Sequence, residues 1–506
     1  MIGAVATGAS ARADTVCDYL KDGGTAGFCS CALLGDDRRP PVDFCPQSTA
    51  PCQIPLPGGF PCPRVPAENP LTKEKIELGR FLFYDTKMSG PGLDGQPGQA
   101  CASCHDQAKA FTDGRATAKG STGQDHPRSS MSLTNVVYES TLTWANNTVF
   151  TLEDQALVPM FTTEPIVELG LAGRDDQLLA YLRSEPRYQR MFAEAFPDDA
   201  ESVSVHSITR AIASFERTLI SGNSPLDRFE LSDSAARGQE FFKHSEVGEC
   251  FHCHDGFNLQ DAVDAHGMIT PGIFFHSTGL YNLRCSDFGL PTLDFPWCDP
   301  PPSAEACMND TFTKPLGCHC DGPGPQDMGC FPPDNTGLYS LSHKPQDMGK
   351  FKAPTLRNIA VTGPYMHDGS IDSLDGVLDH YAAGGRTITD GQYAGIGSLN
   401  PTIESTIRGF HITDGERADL LAFLNSLTDE EFLMNPKFAD PFQPVACSGD
   451  CDLNGVVEVN ELVLDVGISL ENVSLARCVA GDANGDGAVR IDELVRAVRS
   501  ALHSCS

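Results

Sequence analysis

The sequence predicts a mainly α-helical chain of several domains: two helical units of one plan, cysteine-rich insertions, and a small duplicated acidic tail. Three observations predict it. The pentapeptide CASCH at 101–105 returns as CFHCH at 250–254. Apolar residues recur at helical spacing, as in Ile76, Leu78, Phe81 and Leu82 or Ile208, Ile212, Phe215 and Leu219. Two twelve-residue acidic loops begin at Asp450 and Asp482.

At 506 residues the chain has room for three or four domains and a sizeable core. A formal net charge of −32 argues against nucleic acid or an anionic membrane surface as partner, because like charges repel along the whole approach. No apolar run reaches the roughly eighteen residues that span a bilayer. Residues 1–13 read as a truncated secretory leader with a small-residue pattern closing at Ala13. Residues 14–66 form a Cys/Pro-rich lead-in, 67–222 the first helical domain, 223–440 the second, with a Cys-rich insertion at 284–333, and 445–506 the tail. Helices are expected from about residue 76, over 174–184 and 205–221, and over 372–382 and 414–427.

C-x-x-C-H attaches c-type haem: two thiols add across the porphyrin vinyl groups and the adjacent histidine reaches the iron. Cys101, Cys104 and His105 would hold one haem, and Cys250, Cys253 and His254 a second; His252 is a spacer. Subtracting these four from 20 cysteines leaves sixteen in even local clusters: six from Cys17 to Cys62, six from Cys285 to Cys330, four from Cys447 to Cys505. Even, local counts point to disulfides and to a periplasmic or secreted protein, which c-type haem also requires. Metal binding by Cys29/Cys31 or Cys318/Cys320 is the alternative.

In the tail, Asp450, Asp452, Asn454, Gly455, Glu458 and Glu461 match positions 1, 3, 5, 6, 9 and 12 of an EF-hand loop. Asp482, Asn484, Asp486, Gly487 and Glu493 match positions 1, 3, 5, 6 and 12 of another. Calcium takes six to eight hard oxygens around a sharp turn, and this spacing supplies them, with the carbonyls of Val456 and Ala488 at position 7. Each loop runs into an apolar-striped helix, and the tail resembles dockerin-like EF-hand pairs.

NPLTKEKIELGRFLFYDTKMSG, TLEDQALVP and FKAPTLRNIAVTGPYMHDGS resemble the bacterial dihaem cytochrome c peroxidase and MauG superfamily over about residues 66–440. SMSLTNVVYESTLTWAN, SFERTLISGNSP, FFHSTGLYN and DNTGLYS most resemble its MbnH branch, whose members act on an MbnP-type partner protein. The resemblance implies two cytochrome-c-like haem domains with the haems facing one another. It puts the distal glutamine at Gln155 and the acid-base glutamate at Glu168, with Glu164 as a rival. It puts the residue between the haems at Trp144, and an inter-haem calcium near the carbonyls of Thr362 and Pro364, where Ser129 stands in place of the family's Asn. For the second iron it offers Tyr381, fourteen residues beyond His367, with Met366 or Met348 as the methionine alternative. The first iron is open, or gated by His126.

Three functions compete. A MauG- or MbnH-like enzyme would use hydrogen peroxide to form a high-valent dihaem state and oxidise a Trp or Tyr side chain of a partner protein. A dihaem cytochrome c peroxidase would reduce peroxide with electrons from a small cytochrome. A dihaem electron carrier has no use for a Gln155/Glu168 pair.

Overall fold

The computed structural model describes residues 56–61, 63, 65–244, 248–263, 275–282, 332, 335–390, 393, 395–400, 402–442, 448–451, 457–470, 472–483 and 487–503. The lead-in cysteines, the six of the insertion, Cys447 and Cys505 lie outside the described residues. So do the EF-hand positions Asp452, Asn454, Val456, Asn484 and Asp486.

The described chain is mainly helical. The first half is built on α1 (Lys73–Tyr84), α2 (Leu152–Phe161), α3 (Asp175–Ser184), α4 (Pro186–Ala195) and α5 (Val205–Glu216). Helix α1 starts where Thr72 accepts a hydrogen bond from Lys75 N, and it buries Leu78, Leu82 and Phe83. Helix α5 starts at the Ser204 cap and buries Ile208, Ala211, Ile212 and Phe215. Each of its larger apolar side chains contributes about 1.5–3 kcal/mol by leaving water. The expected helix over 205–221 ends earlier, at Glu216, and Leu219 is fully buried in the turn that follows. A turn that continues into the core keeps the apolar spacing without the helix.

Helices α1 and α5 touch backbone to backbone: a Cβ on Gly79 would sit 1.9 Å from the carbonyl oxygen of Ala211. The second half repeats the device. Helix α6 (Asp233–Lys243) meets α8 (Asp414–Asn425) at Gly238, where a Cβ would lie 2.0 Å from Asp419 O. Between these two lies α7 (Leu374–Ala382), capped by Ser373. Two short antiparallel pairs complete this half: β1 (Phe275–His276) with β2 (Phe351–Lys352), and β3 (Thr387–Ile388) with β4 (Gly395–Ile396).

Two apolar cores follow. One gathers Leu78, Phe83, Phe111, Phe192 and Phe215; the other gathers Phe242, Leu420, Phe423 and Leu427. The stretch from Asp429 through α9 (Glu430–Met434) crosses back to the first core, where Phe432 and Phe438 are buried. Tyr84 donates to Phe438 O at 2.7 Å, Arg80 to Pro436 O at 3.1 Å, and Gln107 to Asn435 O at 2.9 Å. Asp429 Oδ2 accepts from the Ser221 hydroxyl and from the backbone N–H groups of Gly222 and Asn223, while Asp429 N donates to Asn358.

Lys352 is fully buried, paired with Glu139, and donates to Thr141 O at 3.0 Å. Burial lowers its pKa and Glu139 opposes the shift. Lys352→Met would leave Glu139 buried and unpaired, and should cost about 3–5 kcal/mol, read as a lower denaturation midpoint.

In the tail, α10 (Val459–Ser469) and α11 (Ile491–His503) flank a disulfide between Cys451 and Cys478. Val459, Val463, Val466 and Leu470 are exposed, as are Ile491, Val495, Val498 and Leu502. Among the described residues no helix is long and apolar enough to cross a membrane.

Two candidate cofactor sites

CASCH enters as a single 3-10 turn, Cys101–Ser103, after the glycine-rich loop that follows α1. His105 is oriented by its surroundings. Its Nδ1 is 2.8 Å from Phe111 O, which leaves Nε2 for a ligand. CFHCH repeats the arrangement, with His254 Nδ1 at 3.2 Å from Leu259 O. In both loops the carbonyl comes from a non-glycine residue at positive φ, Phe111 at 61° and Leu259 at 48°.

A cavity of about 660 Å³, part of it open to solvent, lies over the first motif. Cys101, Cys104 and His105 line it together with Gln155, Glu168, His126 and Glu216. Gln155 comes from α2, whose Ala156, Pro159 and Met160 share that wall. Glu168 comes from the loop after α2, which is tied back by Leu169 N to Pro159 O and by Ser121 N to Glu168 O. Burial pushes the Glu168 carboxyl above its ordinary range. The rival Glu164 is exposed and does not line the cavity. His126 does line it. Its Nδ1 accepts from Arg128 N at 3.0 Å, and burial followed by the Arg128 charge lowers it to about 4.

At the second motif, Tyr381 near the end of α7 is pushed well above the usual phenol range by burial and then by Cys253 and Cys250. Met366 packs instead against Leu280, Tyr281 and Ile371, and Met348 is buried with its carbonyl accepting from Thr402. Trp144 bridges the halves. Its indole N–H donates to Ser129 O at 2.9 Å, its own carbonyl accepts from Lys352 N, and Ser129 N donates to His367 O. The Ser129 hydroxyl is occupied by the carbonyls of Met366 and His367.

The residues fit covalent haem. Among the described cysteines, Cys101, Cys104, Cys250 and Cys253 are unpaired, each half-buried. Burial pushes the Cys104 thiol up to about 11 and Cys250 to about 12, so neither favours a thiolate; thioether formation removes the ionisable proton altogether.

Two features escaped sequence reasoning. His276 is clamped between Asp261, 2.6 Å from Nε2, and Glu404, 3.6 Å from Nδ1, within 4.8 Å of the Cys253 sulfur. Burial would lower its pKa, yet hydrogen bonding to Asp261, and then to Cys253 and Glu404, carries it to about 12. Glu216 was legible only as a polar residue beside an apolar stripe.

In the tail, of the described acids expected in the EF-hand loops, Asp450, Glu461, Asp482 and Glu493 are buried and Glu458 is exposed. Glu461 accepts from Cys451 N at 2.7 Å and Glu458 N at 2.8 Å, while Glu493 accepts from Arg490 N at 2.9 Å. Ala488 lies in the second loop, next to Gly487, where the described chain resumes.

Comparison with known proteins gives one family. The description "Di-haem cytochrome c peroxidase" matches residues 73–235. Cytochrome-c peroxidase IdrP1 of Denitromonas iodatirespirans is 31% identical over 426 residues, spanning 82% of this chain and 94% of the relative. Methylamine utilization protein MauG of Methylophilus methylotrophus is 29% identical over 368 residues, 72% and 84% of the two chains. A solved MauG-like protein associated with microbial copper homeostasis is 38% identical with a TM-score of 0.64, covering 77% of this chain and 99% of that one.

Proposed function

Because this chain belongs to the di-haem cytochrome c peroxidase and MauG family, an oxidoreductase family that uses hydrogen peroxide, we propose that it oxidises a Trp or Tyr side chain of a partner protein. The family implies two c-type haems. Cys101, Cys104 and His105 would hold the first, and Cys250, Cys253, His254 and Tyr381 the second. When bound, the haems supply the centres that accept and pass electrons between partner and peroxide.

The chain's own residues do the rest. Glu168 moves a proton between the two peroxide oxygens as their bond breaks, and Gln155 orients the substrate. Trp144 joins the two sites, fixed by its bond to Ser129.

The observation that carries this reading is Tyr381, half-buried near the end of α7 and within electrostatic reach of the second motif's Cys253 and Cys250. A phenolic oxygen favours oxidised iron where a thioether favours reduced iron. The likeness to a MauG-like protein associated with copper homeostasis supports a protein substrate of the MbnP type, as in the MbnH branch. The ferric spectrum tests it: one high-spin haem and one His/Tyr low-spin haem are expected, and a sulfur-to-iron charge-transfer band would overturn it.

One observation favours the second reading, a cytochrome c peroxidase fed by a small cytochrome. His126 lines the first cavity. Two low-spin haems in the resting ferric protein, with the first becoming high-spin in His126→Ala, would select that reading.

We propose further that the tail is a dockerin-like calcium module and that the protein is periplasmic or secreted. The inward-turned Glu461 and Glu493 support the first. A chain ending at residue 444 should respond to peroxide within about twofold of the parent, since the haem-binding residues all lie before it. Loss of the response would make the tail part of the catalytic fold.

A further inference from the structure

Glu216 ends α5 and lines the first cavity with Gln155 and Glu168. It is 5% exposed, and its Oε2 has no hydrogen-bond partner. The neighbouring cation is committed elsewhere: Arg217 holds Glu153 through two hydrogen bonds of 2.7 Å, and Asn69 gives Glu153 a third. A carboxylate so enclosed and without a donor is costly, and such a group keeps its proton. Burial raises the carboxyl to about 8, with Arg217 opposing and Glu153 adding to the rise.

The other titratable groups lining the cavity are Cys101, Cys104, His105, Lys119, His126 and Glu168. Burial keeps both cysteine thiols uncharged, as thioethers also are, and pulls both histidines toward neutrality. Lys119 is partly exposed and pairs with Asp125.

We propose that Glu216 is a proton-bearing acid of the first cavity, holding a proton for peroxide reduction in addition to the Gln155/Glu168 pair. The inference rests on reading this cavity as the peroxide site. Reduction follows H2O2 + 2 H⁺ + 2 e⁻ → 2 H2O: the O–O bond breaks, and the electrons are those withdrawn from the oxidised partner. Glu168 relocates a proton already on the substrate. The two protons that complete the waters come from outside it, and Glu216 holds one of them in the cavity wall.

The test uses the haem-loaded full-length protein. Infrared spectroscopy at neutral pH should show a protonated-carboxyl band that shifts in D2O, persists in Glu168→Gln and is absent in Glu216→Gln. In the parent it should fade as pH rises through about 8. Glutamine keeps the shape and a hydrogen-bond donor but has no proton to give. A structural role therefore predicts parent-like turnover for Glu216→Gln, whereas the proposed role predicts single-turnover reduction slowed about a hundredfold, with partial recovery in Glu216→Asp.

Stability gives a second readout. The folded protein keeps this proton to higher pH than the unfolded chain, so the stabilisation is full below the unfolded carboxyl range and is lost as pH rises through about 8. Glu216→Gln removes that loss, and its stability relative to the parent should rise with pH. No carboxyl band, or a glutamine variant at parental rate, overturns the proposal. A parent whose first haem ignores peroxide while the band is present overturns the reading of the cavity, and with it the use of this proton, so the two failures are distinguishable.

Discussion

Glu168→Gln should slow peroxide activation by about a hundredfold or more, the lower range of what a positioned acid-base group contributes. Glutamine fills the same space and cannot carry the proton from one oxygen to the other, so haem content and the resting spectrum should stay those of the parent. Glu168 is partly buried and lines the cavity with Gln155, and burial holds its carboxyl above the ordinary range, toward the pH at which an acid both holds and releases a proton. Glu164→Gln should have little effect, since that side chain is exposed outside the cavity. Stopped-flow mixing with peroxide at the first haem measures both. A normal rate for Glu168→Gln with a slow Glu164→Gln would move the role.

Tyr381→Phe should leave both haems covalently attached and abolish the long-lived absorption change that follows peroxide. Attachment depends on the cysteines, whereas under the proposed function the phenol oxygen would be the donor that favours oxidised iron at the second site. Burial first, and then Cys253 and Cys250, hold this phenol protonated. The variant should also show a raised midpoint potential for the second haem. If its spectrum, potential and peroxide response all match the parent, Tyr381 is not the ligand.

The two C-x-x-C-H motifs were readable because the chemistry of covalent haem attachment fixes their residues within five positions. Gln155 and Glu168 were readable only through family resemblance, because a proline-containing helix and the loop behind it bring them to one wall. The carbonyls that orient His105 and His254 depend on left-handed backbone at Phe111 and Leu259, which side-chain identity does not announce. Glu216 was hidden in an apolar stripe, and the His276 clamp joins three segments distant in sequence. One signal was available and unused: LGRFLFY before the first motif and RGQEFFK before the second each carry the glycine at which two helices cross.

The return of residues 429–442 across the first half has a thermodynamic consequence. Unfolding the second half withdraws Phe432 and Phe438 from the first core and releases the Asp429 contacts to residues 221–223. Neither half is then a free-standing foldon, and opening free energies near the two motifs approach one shared global value. The spacing of the two C-x-x-C-H sites is thereby protected from partial opening: the pair remains a pair until the whole melts.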